Sequence, residues 1–127
     1  MPTVTLLVQP GAYAVCRLAP ADALPAWTGA AGPFLSITRT ADELSLIVPE
    51  TIVPAAVRAE RGWTLVKFAG PFDFGAVGIL ASVVQPLAAA GISLLALGTF
   101  DTDYMLIKSD RLAAARRVLI AAGHTVS

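Results

Sequence analysis

Apolar and polar positions along the chain resolve into short strand-like runs and two longer stretches with helical spacing. The runs occupy residues 4–8, 13–18, 34–40, 44–48, 63–69, 94–100 and 104–108, each rich in β-branched or large apolar residues and bordered by Gly, Pro or Asp. They predict strands. Pro10-Gly11 is a turn signal, and the polar breaks at 40–43 and 101–103 are short enough to close hairpins. The first helical stretch covers residues 75–90, with Val77, Leu80, Val84 and Leu87 at three- and four-residue intervals, Asp73 placed as N-cap and Gly91 as stop. Pro86 lies inside it and removes the bond to the Ser82 carbonyl, a loss of roughly 3 kcal/mol that predicts a kink or a short last turn. The second stretch, residues 110–122, places Leu112, Ala115, Val118, Leu119 and Ala122 on one face, and Gly123 ends it. Thr125 and Val126 then predict a last short strand.

From Trp63 onward the order is strand, helix, strand, strand, helix, strand, which is the ferredoxin-like βαββαβ arrangement. Four antiparallel strands with both helices on one face are expected from it. The N-terminal half has the same order in abbreviated form, with short helical pieces near residues 21–27 and 52–57. A shift of 60 places Leu35 on Leu95, Ile37 on Leu97, Glu43 on Asp103, Leu46 on Leu106 and Ile47 on Ile107, consistent with a repeat. Pro49, Pro54 and the charged stretch 58–62 mark a seam, so the expected division is 1–62 and 63–127.

Composition narrows the function. Of 127 residues, 56% are hydrophobic and 14% charged, with nine basic against nine acidic side chains, so the chain folds and lacks the basic excess of a nucleic-acid binder. One cysteine, Cys16, and one histidine, His124, exclude a disulfide scaffold and a structural zinc module, and no metal or cofactor is expected. The start of the chain lacks a signal-peptide pattern, which makes the cytoplasm the expected compartment. Residues 74–100 are 27 in a row without a charge, but Pro86 and Gly91 interrupt them and the texture changes after the glycine. A helix followed by a buried strand, not a membrane span, is the expectation. No G-x-S-x-G elbow, phosphate loop, H-E-x-x-H or paired-cysteine motif is present, so an enzyme is not expected.

Gly70-Pro71-Phe72-Asp73-Phe74, then Gly78-Ile79-Leu80-Ala81-Ser82, Pro86-Leu87-Ala88 and Ala90-Gly91-Ile92-Ser93, lead to Thr99-Phe100-Asp101-Thr102-Asp103-Tyr104. This series closely resembles the tandem ACT-domain proteins of bacteria and of the CASTOR arginine-sensor family. The run 34–40, with Glu43-Leu44-Ser45-Leu46 and Trp63 beyond it, resembles the first repeat of the same family. The resemblance implies an α+β fold of two ferredoxin-like (βαββαβ) ACT repeats, with antiparallel sheets and helices packed on one face. It also implies a free-standing regulatory sensor or an accessory subunit, non-catalytic, that binds an amino acid or similar metabolite and acts on a regulated enzyme or protein partner. The ligand site is then placed at Asp73, Phe74, Gly75, Val77, Gly78 and Ile79 together with Thr99, Phe100, Asp101, Thr102 and Asp103.

The same residues suit a zwitterion on physical grounds. Unpaired amides in the first turn of a helix attract a carboxylate. Asp101 and Asp103 accept hydrogen bonds from an ammonium or guanidinium group, and Thr99 and Thr102 add neutral ones. Each feature also has a structural explanation: Asp73 as a helix cap, the two hairpin aspartates as turn formers, and Gly75 and Gly78 as packing positions. His124 is expected at the surface or an interface, Cys16 in the core, Trp27 and Trp63 as core or interface anchors, and Arg116 and Arg117 on a solvated helix face. The competing function is a structural oligomerisation module with a vacant pocket. With so few charges, a homodimer is expected under either function.

Overall fold

Strands form where the alternation places them: β1 (Thr5–Val8), β2 (Tyr13–Leu18), β3 (Ser36–Arg39), β4 (Leu44–Pro49), β5 (Ala59–Phe68), β6 (Leu95–Gly98), β7 (Asp103–Lys108) and β8 (Thr125–Val126). The helices are α1 (Ile79–Ala89) and α2 (Leu112–Ala121). This computed structural model describes residues 2–73 and 75–127. It is a mixed α+β protein of two units, Gly11–Trp63 and Met1–Pro10 with Thr64–Ser127. The division differs from the expected 1–62 and 63–127 because the N-terminal strand belongs with the C-terminal unit.

In the larger unit, β6 pairs with β7, β7 with β5, β5 with β1, and β1 with β8. The ferredoxin-like order from β5 onward is present, but the N-terminal strand lies between its first and last strands. β1 is antiparallel to β5 (Leu6↔Phe68, Val8↔Val66) and parallel to β8 (Leu6↔Val126), a departure from an all-antiparallel sheet. Its backbone is satisfied on both edges: Ala69 N–H donates to Thr5 O at 2.9 Å and Ser127 N–H to Leu6 O at 2.9 Å. Both helices lie against one core, where Val83 and Leu87 of α1 and Ala115 and Leu119 of α2 meet Leu6, Val66, Phe68, Met105 and Ile107.

In the smaller unit, β3, β4, β2 and the start of β5 pair in that order. The stretch 58–62, beside the boundary between units, is strand: Ala59, Glu60 and Trp63 pair with Cys16, Val15 and Tyr13 across a register shift. The expected helical pieces shorten to 3-10 turns at Ala26–Ala30 and Glu50–Ile52. Prolines explain the brevity, because Pro25 and Pro49 start the turns and Pro54 closes off extension of the second. Trp27 packs against a core of Ala14, Cys16, Leu44, Leu46 and Val48. Burial pushes the Cys16 thiol up, opposed by the weaker pull of the Arg61 charge. Cys16 is thus expected to resist a disulfide reagent at neutral pH in native protein and to react on denaturation; labelling at the native rate of a free thiol would contradict this.

The two hairpins correspond at a shift of 59, not 60. Arg39 faces Leu44 and Gly98 faces Asp103, each pair enclosing four residues. Thr40 N–H donates to Glu43 O at 2.9 Å and Thr99 N–H to Thr102 O at 2.8 Å, and a 3-10 turn follows each hairpin. Side-chain type alone misplaces the register by one, because neighbouring apolar residues in β4 and β7 are interchangeable by composition.

α1 is shorter than expected and presents another face. Gly75 and Gly78 are poor helix formers, and the helix starts only after Gly78, whose φ of 81° no side chain adopts comfortably. The buried residues are Ser82, Val83 and Leu87, whereas Val77 is 85% exposed and Leu80 also faces solvent. Asp73 is not the cap. After Pro86 the helix lasts three residues, the short last turn expected, and Gly91 ends it: Gly91 N–H donates to Ala88 O at 3.0 Å and Ile92 N–H to Leu87 O at 2.9 Å. α2 closes in the same way through Gly123, with His124 N–H on Leu119 O at 3.0 Å. Arg116 donates to Val126 O at 3.0 Å and so ties α2 to β8 instead of only facing solvent. The uncharged stretch becomes a loop, a helix and a strand, and no helix among the described residues is long and apolar enough to cross a membrane.

His124 is buried within its own unit, at 4% exposure, and not at the surface or interface position expected. Val4 N–H donates to its Nδ1 at 3.1 Å, and its Nε2 lies 2.8 Å from Ser82 O. A carbonyl only accepts and an amide only donates, so the proton sits on Nε2.

Candidate functional site

Two segments of the larger unit meet at one end of its sheet. The first leaves β5 after Phe68 and leads towards α1, with Asp73 Oδ1 accepting from Gly75 N–H at 3.1 Å and Asp73 O from Ala76 N–H at 2.9 Å. Asp73 thus shapes the loop, its short side chain forming a turn with the amide two residues on. The second is the tip between β6 and β7. There Thr102 Oγ1 donates to Phe68 O at 2.7 Å, and Thr99 Oγ1 donates to Thr102 O at 3.0 Å. Both threonine hydroxyls are committed to holding the tip.

Phe72 N–H donates to Asp101 O at 2.8 Å and joins the two segments. Contact there is close. A Cβ on Gly70 would lie 3.0 Å from Thr102 Cβ and 3.2 Å from Asp101 O, so only glycine lets the tip approach β5.

Between the segments is a cavity of about 260 Å³. Its walls include Asp73, Gly78, Ile79, Thr99, Phe100, Asp101, Thr102 and Asp103 from the expected set, brought together from two separate stretches. Gly75 and Val77 do not line it, and Phe74 lies outside the described residues. Phe72, Ala76, Leu80 and Ala81 line it as well and were not expected. Placing the helix start after Gly78 would have revealed Leu80 and Ala81, because the first turn of a helix carries its unpaired amides.

Electrostatically the walls divide in two. α1 has no side-chain cap, and its first intrahelical donor beyond the lining is Ser82, whose N–H meets Gly78 O at 2.9 Å. Ile79, Leu80 and Ala81, the first turn of α1 at the positive end of the helix dipole, line the cavity. Opposite in sign are three carboxylates, Asp73, Asp101 and Asp103, with no lysine or arginine in the lining. A smaller cavity of about 180 Å³ shares Asp101 and Thr102 and includes Lys67. Among the described residues no group of three or more His, Cys, Asp or Glu side chains is arranged to hold a metal ion.

A family model described as ACT domain covers residues 58–121, and a second, for an N-terminal domain, covers residues 11–56. A protein of Agobacterium tumefaciens is 40% identical, with a TM-score of 0.94 over 100% of this chain and 94% of that one. The regulatory subunit of aspartate kinase from Thermus flavus has a TM-score of 0.63 at 11% identity, covering 96% of this chain and 99% of that one, a likeness of fold alone. The human cytosolic arginine sensor for mTORC1 subunit 1 is 38% identical over 58 residues, 45% of this chain and 18% of the sensor. The chain thus matches less than a fifth of the length of these curated relatives.

Proposed function

The chain belongs to the ACT-domain family, and on that premise we propose that it is a non-catalytic regulatory protein that binds a small amino acid in the cavity between the α1 amino end and the β6–β7 tip. One observation carries the proposal: the uncapped first turn of α1 and three aspartates line a single cavity. The amides suit an α-carboxylate, and the aspartates suit an α-ammonium or a cationic side chain. At about 260 Å³ the cavity falls below the roughly 300–1,000 Å³ of sites for drug-sized molecules, which suits a single amino acid. Similarity to an arginine sensor over 58 residues supports the same ligand class. Absence of catalysis is supported by chemistry: His124 spends both ring nitrogens on backbone groups, and Cys16 is buried in the other unit's core. Action in the cytoplasm as a homodimer, on an enzyme or protein partner, completes the proposal.

Thermal-shift and calorimetric titration against the common amino acids tests it. At a hundredfold excess over Kd a ligand adds about 2.7 kcal/mol of stability, a readily seen shift. Asp101→Asn and Asp103→Asn are expected to weaken binding by about tenfold or more each, with little change in Tm, since charge-assisted bonds contribute about 1.5–3 kcal/mol. A flat panel on protein refolded from denaturant would overturn amino-acid binding. It would favour the structural oligomerisation module, for which β3 and β6 supply a specific feature: each has one strand neighbour, and Ile37 and Leu95 are 45% and 38% exposed on them. Sedimentation of the protein with and without ligand separates assembly from sensing.

A further inference from the structure

Pro86 has no N–H, so the Ser82 carbonyl one turn earlier in α1 loses its helical donor. His124 fills the gap. Its Nε2 donates to Ser82 O at 2.8 Å while its Nδ1 accepts from Val4 N–H at 3.1 Å, both bonds buried. The imidazole is held by the closure of α2, through the His124 N–H bond to Leu119 O. Ser82 is also the residue whose N–H starts the α1 ladder on Gly78 O. The turn that His124 grips is therefore the turn whose residues Ile79, Leu80 and Ala81 line the cavity.

We propose that His124 is a positioning residue for the ligand cavity: by replacing the helical donor that Pro86 removes, it sets the first turn of α1 against β1 and α2. The role rests on the cavity being the ligand site. Its test needs no ligand.

Substitution separates the two arms of the imidazole. Asparagine places a side-chain oxygen where Nδ1 stands but does not reach Ser82; glutamine reaches Ser82 with an amide donor but offers nothing at the Nδ1 position. Amide hydrogen exchange of the unliganded full chain is the readout. In His124→Asn, protection of the Ser82 and Val83 amides is expected to fall about tenfold relative to that of Leu119, the size of one hydrogen bond, and the Gly78 to Ala81 amide resonances to shift. His124→Gln is expected to keep both near the native values. Adding Pro86→Ala to His124→Asn restores a helical donor to Ser82 O and should restore protection, including where His124→Asn alone does not fold. Equal losses in the Asn and Gln variants, a loss spread evenly through α2, or no rescue by Pro86→Ala would each overturn the role. A flat amino-acid panel with this exchange pattern intact would refute ligand binding and leave the mechanical coupling standing.

Discussion

A chain lacking residues 1–10 is expected to lose cooperative folding of the unit that holds the cavity, although the removed piece contains one four-residue strand. β1 is interior, with β5 on one side and β8 on the other. Its removal strips the partners of Ala69 N–H, Thr125 N–H, Ser127 N–H and Leu65 O and leaves β8 without a strand neighbour. It also empties the space filled by Leu6, which is fully buried, and by Val4. Leu6→Ala alone is expected to cost about 3 kcal/mol. Against a net domain stability of about 5–15 kcal/mol, loss of both side chains and the ladder removes most of the margin. Circular dichroism and amide NMR dispersion check this, and a sigmoidal melt within about 5 °C of the full chain would show that β1 is dispensable.

Gly70→Ala is expected to disturb the cavity from a position that does not line the larger one. Its Cβ would meet Thr102 Cβ at 3.0 Å, Thr102 Oγ1 at 3.1 Å and Asp101 O at 3.2 Å, and two of these atoms belong to the branch point of a side chain and to backbone. Neither yields cheaply. The Thr102 hydroxyl is already bonded to Phe68 O, so relief comes from lifting the tip and stretching the Phe72 N–H bond to Asp101 O. Overpacking of this kind costs about 1–3 kcal/mol. Ligand affinity should fall with stability, unlike the aspartate substitutions, which lower affinity alone. Calorimetry and thermal melts on the same preparation separate the two, and an unchanged Tm in Gly70→Ala would show that the tip moves freely.

Much of the cavity was legible because its residues are consecutive. Asp101 and Asp103 sit at a hairpin tip that the polar break announces, and Gly78 with Ile79 sits where a strand runs into a helix. The start of α1 lies four residues beyond the expected one because Asp73 shapes a loop instead of capping the helix. In the folded chain Asp73 bonds the Gly75 amide within a loop, and a left-handed glycine starts the helix. Capping boxes and Asx turns use the same side chain at the same short range, so composition does not separate them.

His124 shows the other kind of limit. Nothing next to it in sequence marks it as buried, since its partners are Val4 and Ser82, 120 and 42 residues away. Pro86 carried a trace of the answer, because a proline inside a helix implies an orphan carbonyl that something must satisfy. Which donor does so depends on packing.

By itself the sequence determined the strands, both helix stops and the ferredoxin-like order from Trp63, because alternation, glycine stops and turn residues act within a few positions of one another. Tertiary structure alone decided that the first strand completes the last unit, that the hairpins correspond at a shift of 59, and that a buried histidine serves a helix it does not belong to. Those outcomes depend on non-local pairing, where several strands of similar apolar content compete for one place and the winner is chosen by shape and by the hydrogen bonds left to satisfy.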